Sequence, residues 1–225
     1  MDPLVSLAAA STALVGTHFA LSHPLRAPLV QALGAGAFAG LYSLVAVACM
    51  VWMYAAFGSA PAGDLGGKGG EAGWIVSTAL TLPALVLFLG SLRNNPALPA
   101  PGAAEAATRA PTGVFTVTRH PMMWGFALWA IAHIVLWWST RTLVVATAIL
   151  VLALVGAHLQ DRKKSALMGA AWMEWESRTS YWPRWAKLPG AGPVLWLSAI
   201  ATWLLITGAH LPLGGLPAGL WRWLS

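Results

Sequence analysis

The chain has 225 residues, of which 58% are hydrophobic and only 9% charged, with a formal charge of +6. Soluble domains carry roughly 25% charged residues, so this composition excludes a water-covered globule and points to an integral membrane protein. In a soluble chain the excess charge would suggest nucleic acid. Here the basic residues fall between apolar runs, where they set membrane orientation and give no reason to expect a nucleic-acid partner.

The first residues, MDPLVSL, lack the basic region of a signal peptide, so the first apolar run is expected to remain as a helix. A bilayer core takes about 20 apolar residues per helix. Six such runs follow in order, near residues 4–22, 36–57, 74–92, 122–138, 143–160 and 193–210. They are continuously apolar rather than alternating, which argues for helices over a barrel. Between the second and third, and the third and fourth, lie SAPAGDLGGKGGEAG and RNNPALPAPGAAEAATRAPTG. Their Gly, Pro and Ala content reads as loop.

After the fifth run comes AAWMEWESRTSYWPRW, where Trp172, Trp175, Trp182 and Trp185 interleave with Glu174, Glu176, Arg178 and Arg184. This pattern predicts a short interfacial helix on the cytoplasmic face, its indoles serving as membrane anchors. The odd-numbered loops hold Arg26; Arg93, Arg109 and Arg119; and Arg162, Lys163, Lys164, Arg178, Arg184 and Lys187. The other side holds only Lys68, Arg141 and Arg222. By the positive-inside rule both termini are expected outside an inner (plasma) membrane.

Chemistry has few places to reside. The single cysteine, Cys49, excludes an internal disulfide and any Cys-x-x-Cys pair. No Ser/His/Asp order, glycine-rich nucleotide loop or paired intramembrane carboxylates appear. The histidines are the informative set: His18, His23, His120, His133, His158 and His210. His18, His133 and His158 fall within predicted spans, where an ionisable group is costly and marks function by default. Imidazole binds iron, copper or zinc, and axial histidines on facing helices hold a haem. The bland alternative is a neutral imidazole bonded to a carbonyl or hydroxyl. Arg119–His120–Pro121 opens the fourth run: Pro suits the first helical position, and Arg119 can reach an anionic head group, a propionate or a phosphate, or merely snorkel. Ser22, Thr17 and Tyr42 are hydrogen-bonding candidates in the core, and Asp161 and Arg162 are expected to pair at the end of the fifth helix.

The segments THFALSHPLRAPLVQALGAGAFAGLYSLVAVACMVWMY, GVFTVTRHPMMWGFALWAIAH and LVGAHLQDRKKSALMGAAWMEWESRTSYWPRW together resemble the NnrU family over about residues 14–185. That family comprises bacterial multi-pass membrane proteins linked to nitrite and nitric oxide metabolism, and includes the zeta-carotene isomerase of plants and cyanobacteria. The resemblance implies a b-type haem with His18 and His133 as iron ligands. Beside that pair, His158 is a rival ligand, and Arg119 and His120 at the mouth of the fourth run are further cofactor-binding candidates, Arg119 through a propionate. The isomerase branch has a cysteine three residues before the second histidine, and this chain has Ala130 there. Counted from one membrane face, His18 lies about 6 Å deep and His133 about 17 Å, at 1.5 Å per residue. Matched by depth alone, His18 pairs with His158 and His133 with His210.

RHPMMWG also resembles the Arg-His-Pro-x-x-x-Gly element of isoprenylcysteine carboxyl methyltransferases. The later Glu-Glu pair of that family is missing, with Asp161 and basic residues in its place.

The expected fold is an all-α polytopic bundle of about six transmembrane helices plus a short interfacial helix, forming one membrane domain over residues 1–225. Three functional readings follow. The first is a haem b protein acting on nitrogen oxides or, as an isomerase, on an apolar polyene. The second is a methyltransferase-like protein using S-adenosylmethionine. The third is a non-enzymatic assembly factor for nitrogen-oxide reductases.

Overall fold

In the computed structural model, which describes residues 1–99 and 102–224, the chain is mostly helical. Its order is α1 (Pro3–Ser22), α2 (Arg26–Leu33), α3 (Ala35–Ser59), β1 (Gly67–Lys68), α4 (Gly70–Gly90), α5 (Ala103–Thr108), α6 (Pro121–Leu136), β2 (Trp137–Trp138), α7 (Thr140–Met168), α8 (Ala170–Arg178), α9 (Pro193–Gly214) and α10 (Trp221–Leu224). Short 3-10 turns at Gly113–Thr116 and Trp185–Ala191 flank α6 and α9. Among the described residues five helices, α1, α3, α4, α7 and α9, are long and apolar enough to cross a membrane. The sixth expected span is α6, whose 16 residues reach only about 24 Å at 1.5 Å each, short of the roughly 30 Å hydrocarbon core. It stops early because Trp137 and Trp138 leave the helix to pair with β1, Trp137 opposite Lys68 and Trp138 opposite Gly67.

The chain forms two compact units, residues 1–68 with 137–152, and residues 69–136 with 153–225. In the first, α1 and α3 pack antiparallel. Leu7 meets Ala56 and Ala60 at one end of the pair, and Ser22 donates to the Tyr42 hydroxyl at 3.2 Å towards the other. Beside Leu7, Trp52 Nε1 donates to Ser6 Oγ at 3.0 Å. Thr17 Oγ1 donates back to the Ala13 carbonyl at 2.6 Å, which satisfies a hydroxyl that lipid could not. Arg141, near the start of α7, lies over the Phe57 ring and donates to the Phe57 and Ala60 carbonyls that end α3.

In the second unit α4 and α6 pack most extensively. Gly125 permits this: a Cβ there would stand 2.8 Å from the Ala84 carbonyl oxygen and 3.3 Å from Phe88. Ser77 Oγ donates across the same interface to the Ala132 carbonyl at 2.7 Å. Four residues after Ser77 on α4, Thr81 Oγ1 accepts from Trp203 Nε1 of α9 at 3.0 Å. Close approach of small residues, with polar groups bonded between helices, is how helices associate where lipid supplies no hydrophobic drive.

The predicted interfacial helix exists as α8, but two of its four tryptophans are not anchors. Trp172 and Trp175 are buried, while Trp182 and Trp185 in the following segment are exposed. Positions three apart share a helix face. Trp175 sits edge-on to Phe115, Trp172 lies 6.5 Å from the His120 ring, and Arg178 ties α8 to the Ala107 and Thr108 carbonyls of α5.

Candidate functional site

α7 carries a continuous apolar helix past the length a bilayer needs. Its 29 residues run about 43 Å at 1.5 Å each. The surplus is polar. His158, Asp161, Arg162 and Ser165 follow the i, i+3, i+4, i+7 spacing that puts side chains on one helix face. With Arg119 and Glu176 they line an open cleft of about 600 Å³, whose one apolar lining residue is Ala166.

Arg119 and His120 reach this face because a strap holds the segment before α6. Arg119 N–H donates to the Ser180 carbonyl at 2.8 Å, and Arg184 N–H to the Val117 carbonyl at 2.9 Å. Thr118 Oγ1 donates to the Ser180 and Tyr181 carbonyls and accepts from the His120 N–H. Trp124 Nε1 closes the strap on the Tyr181 carbonyl at 2.9 Å. Pro121 then starts α6 with no N–H to satisfy.

The centre of the site is Asp161. Arg119 donates to it from Nε to both oxygens at 3.0 Å, and from its terminal nitrogen at 2.6 Å. His120 Nε2 stands 2.7 Å from Oδ1. An ionised carboxylate only accepts, so His120 carries its proton on Nε2. His120 Nδ1 is buried and has no partner among the described residues. The Arg119 and Asp161 side chains are only 14% and 12% exposed, with Glu176 3.5 Å from Arg119 on the other side. This shielding separates the pair from ordinary surface salt bridges, which contribute little. The Tyr181 ring lies under the guanidinium at 5.6 Å and against His120 at 5.6 Å, and its hydroxyl donates to the Leu154 carbonyl at 2.9 Å. Burial, then the nearby Asp161 carboxylate, push the Tyr181 phenol up.

Asp161 therefore pairs with Arg119 and His120, not with its neighbour Arg162 as the sequence suggests. Adjacent helical residues point about 100° apart, so Arg162 lines the same cleft but leaves the carboxylate to Arg119 and His120. Glu176, Thr118 and Tyr181 were not predicted at all. The four-residue polar face on the last turns of α7 was the signal that could have found the cleft.

The other histidines lie elsewhere. His18 belongs to the first unit and packs on Tyr42 with ring centres 4.9 Å apart. His133 belongs to the second and stacks on Trp129 at 4.1 Å. His133 Nδ1 lies 2.7 Å from the Trp129 carbonyl, and His210 Nδ1 lies 2.8 Å from the Ile206 carbonyl. A carbonyl can only accept, so both rings carry the proton on Nδ1 and leave the Nε2 lone pair available. Among the described residues no group of three or more His, Cys, Asp or Glu comes together as for a multi-ligand metal site. Axial haem ligation asks only for one or two imidazoles of the kind that His133 presents.

No curated protein and no solved structure matches the chain. The family model described as NnrU protein matches residues 6–218. That match takes in both compact units, the Arg-His-Pro strap and the polar end of α7, and the chain belongs to the NnrU family.

Proposed function

We propose that this multi-pass NnrU-family membrane protein holds a b-type haem and that His133 is an axial ligand. One observation carries the reading: the Nδ1–H of His133 is spent on the Trp129 carbonyl at 2.7 Å, leaving Nε2 as a neutral donor. Ligating histidines generally fix their second nitrogen in this way, which sets the tautomer and holds the ring. His210, with the same kind of backbone tether and in the same compact unit, is the partner offered within this unit. His18 is the partner that the family resemblance implies. Bound haem would supply an iron able to take nitric oxide or to act as a Lewis acid toward a polyene.

The chain's own contribution is to fix the imidazole, stack it on Trp129 and exclude water with the apolar length of α6. Ala130, one helical turn before His133, offers no thiolate to exchange with the imidazole. That absence favours diatomic binding over isomerisation of a double bond. The excess of basic residues around α7, α8 and the Arg-His-Pro strap supports a cytoplasmic cleft with both termini outside an inner membrane.

The test is an absorption spectrum of protein purified in detergent after expression with ample haem, oxidised and then reduced. A Soret band that shifts on reduction, lost in His133→Ala and kept in His23→Ala, is expected. No Soret band after haem is added back would sink the reading.

A further inference from the structure

The cleft at the end of α7 has an unusual division of labour among its charges. Both carboxylates are occupied with Arg119: Asp161 through three hydrogen bonds, and Glu176 at 3.5 Å. His120 takes a further share of Asp161. The remaining donors are uncommitted. The side chains of Arg162, His158 and Ser165 make no hydrogen bond or ion pair with the described residues, yet all three line the same opening. A guanidinium, an imidazole and a hydroxyl on one helix face match the oxygens of a phosphoryl group.

The position along α7 agrees. Counted from Thr140, beside the tryptophan pair of β2, His158 is about 27 Å and Ser165 about 38 Å along the helix. A hydrocarbon core of roughly 30 Å followed by head groups puts this face at the level of lipid phosphates. The surroundings are basic, with Lys163, Arg178, Arg184 and Lys187 nearby in sequence. The exposed Trp182 and Trp185 suit that same layer. A lining with one apolar residue, Ala166, suits a small hydrated anion better than a porphyrin.

We infer that this cleft binds a phosphate ester anion through Arg162, His158 and Ser165, with the Arg119–Asp161–His120 cluster as its rigid wall. The ester is either the head group of an anionic phospholipid or a free phosphate from the aqueous side. Neither source requires haem, so the inference stands or falls separately from the reading above.

The experiment titrates full-length protein in a non-ionic detergent with inorganic phosphate and glycerol 3-phosphate by calorimetry, at ionic strength matched with chloride. In parallel, native mass spectrometry compares retention of phosphatidylglycerol and phosphatidylcholine. Saturable binding is expected in at least one arm. Arg162→Gln should weaken it at least tenfold, Glu176→Gln should tighten it by removing a nearby negative charge, and Lys68→Gln should leave it unchanged. Binding of the soluble esters without lipid preference would identify an aqueous ligand. Selective phosphatidylglycerol retention, lost in Arg162→Gln, would identify a lipid. Failure of the wild-type protein in both arms overturns the inference, as does equal binding by Arg162→Gln, or displacement of phosphate by S-adenosylmethionine.

Discussion

His120 and Asp161 are joined by a 2.7 Å hydrogen bond between residues 41 apart in sequence, one just before α6 and the other on α7. Through Arg119 the same carboxylate anchors the strap to α7. Asp161 is thus the point on which the segment before α6 is fixed.

Removing that carboxylate should cost more than removing its neighbour. Asp161→Asn leaves a largely shielded guanidinium with neutral partners, and breaking one side of such a pair costs about 3 kcal/mol. Glu176→Gln loses only a longer, more exposed contact and should cost under about 1 kcal/mol. Thermal unfolding in detergent compares the two. Arg119→Gln combined with Asp161→Asn should cost less than the sum of the single changes, because the charges are removed together.

Gly125 should tolerate no side chain of consequence. A Cβ at that position would come 2.8 Å from the Ala84 carbonyl oxygen, which belongs to helix backbone and cannot swing aside. Gly125→Val should lower stability by about 1–3 kcal/mol, as overpacking does. Gly16, whose Cβ would meet nothing within 4 Å, should accept Ala with little change. Unfolding midpoints of the two variants, measured side by side, decide the matter.

Haem occupancy should sort the histidines. His133→Ala is expected to abolish the Soret band. Reading the pyridine haemochrome of His210→Ala and His18→Ala separates the two partners: loss in one and retention in the other assigns the second ligand. Trp129→Ala should retain haem with a broadened spectrum. It deletes the ring that stacks on His133 but keeps the backbone carbonyl that fixes its tautomer. Full occupancy in His133→Ala would remove the proposed ligand.

Acid should loosen the start of α7 before the rest. Asp64 accepts from the Thr140 N–H at 2.9 Å, and hydrogen bonds from Thr140, through its side chain and then its backbone, hold the Asp64 carboxyl below its ordinary value. A carboxyl with a depressed folded pKa contributes stability above its unfolded pKa and loses it as pH falls through the folded one. Protection factors of the first-turn amides of α7, which correct for the intrinsic pH dependence of exchange, should therefore fall at a pH below about 4. In Asp64→Asn that protection should already be lower at neutral pH and should fall no further in acid. An identical acid response in wild type and Asp64→Asn would refute the capping role.

Much of the fold was legible in the chain because lipid imposes a simple rule. Backbone groups must be bonded internally, so each long apolar run had to be a helix, and the six runs correspond to α1, α3, α4, α6, α7 and α9. The runs did not show where helices would stop. Trp137 and Trp138 belong by hydropathy to the fourth span, but β1, almost 70 residues upstream in sequence, claims them as a strand pair. Past Asp161 and Arg162, the polar end of α7 likewise reads by composition as loop. A helix propagates past the membrane whenever its side chains find partners, and here they do: Lys164 donates to the Pro96 and Leu98 carbonyls and Gln160 to Ala97.

By itself, then, the sequence determined the membrane class and the helical architecture from residue type and local spacing, and the family through the resemblance of its segments. Tertiary structure alone decided who meets whom. It bonded Asp161 to Arg119 and His120 in place of Arg162. It buried Trp172 and Trp175 while leaving Trp182 and Trp185 exposed, and it gathered one face of α7 with Glu176 into a cleft. The reason is geometric. Composition and periodicity report how a residue relates to solvent and to its own helix, whereas a hydrogen bond depends on positions within about 3 Å, set by packing between segments tens of residues apart.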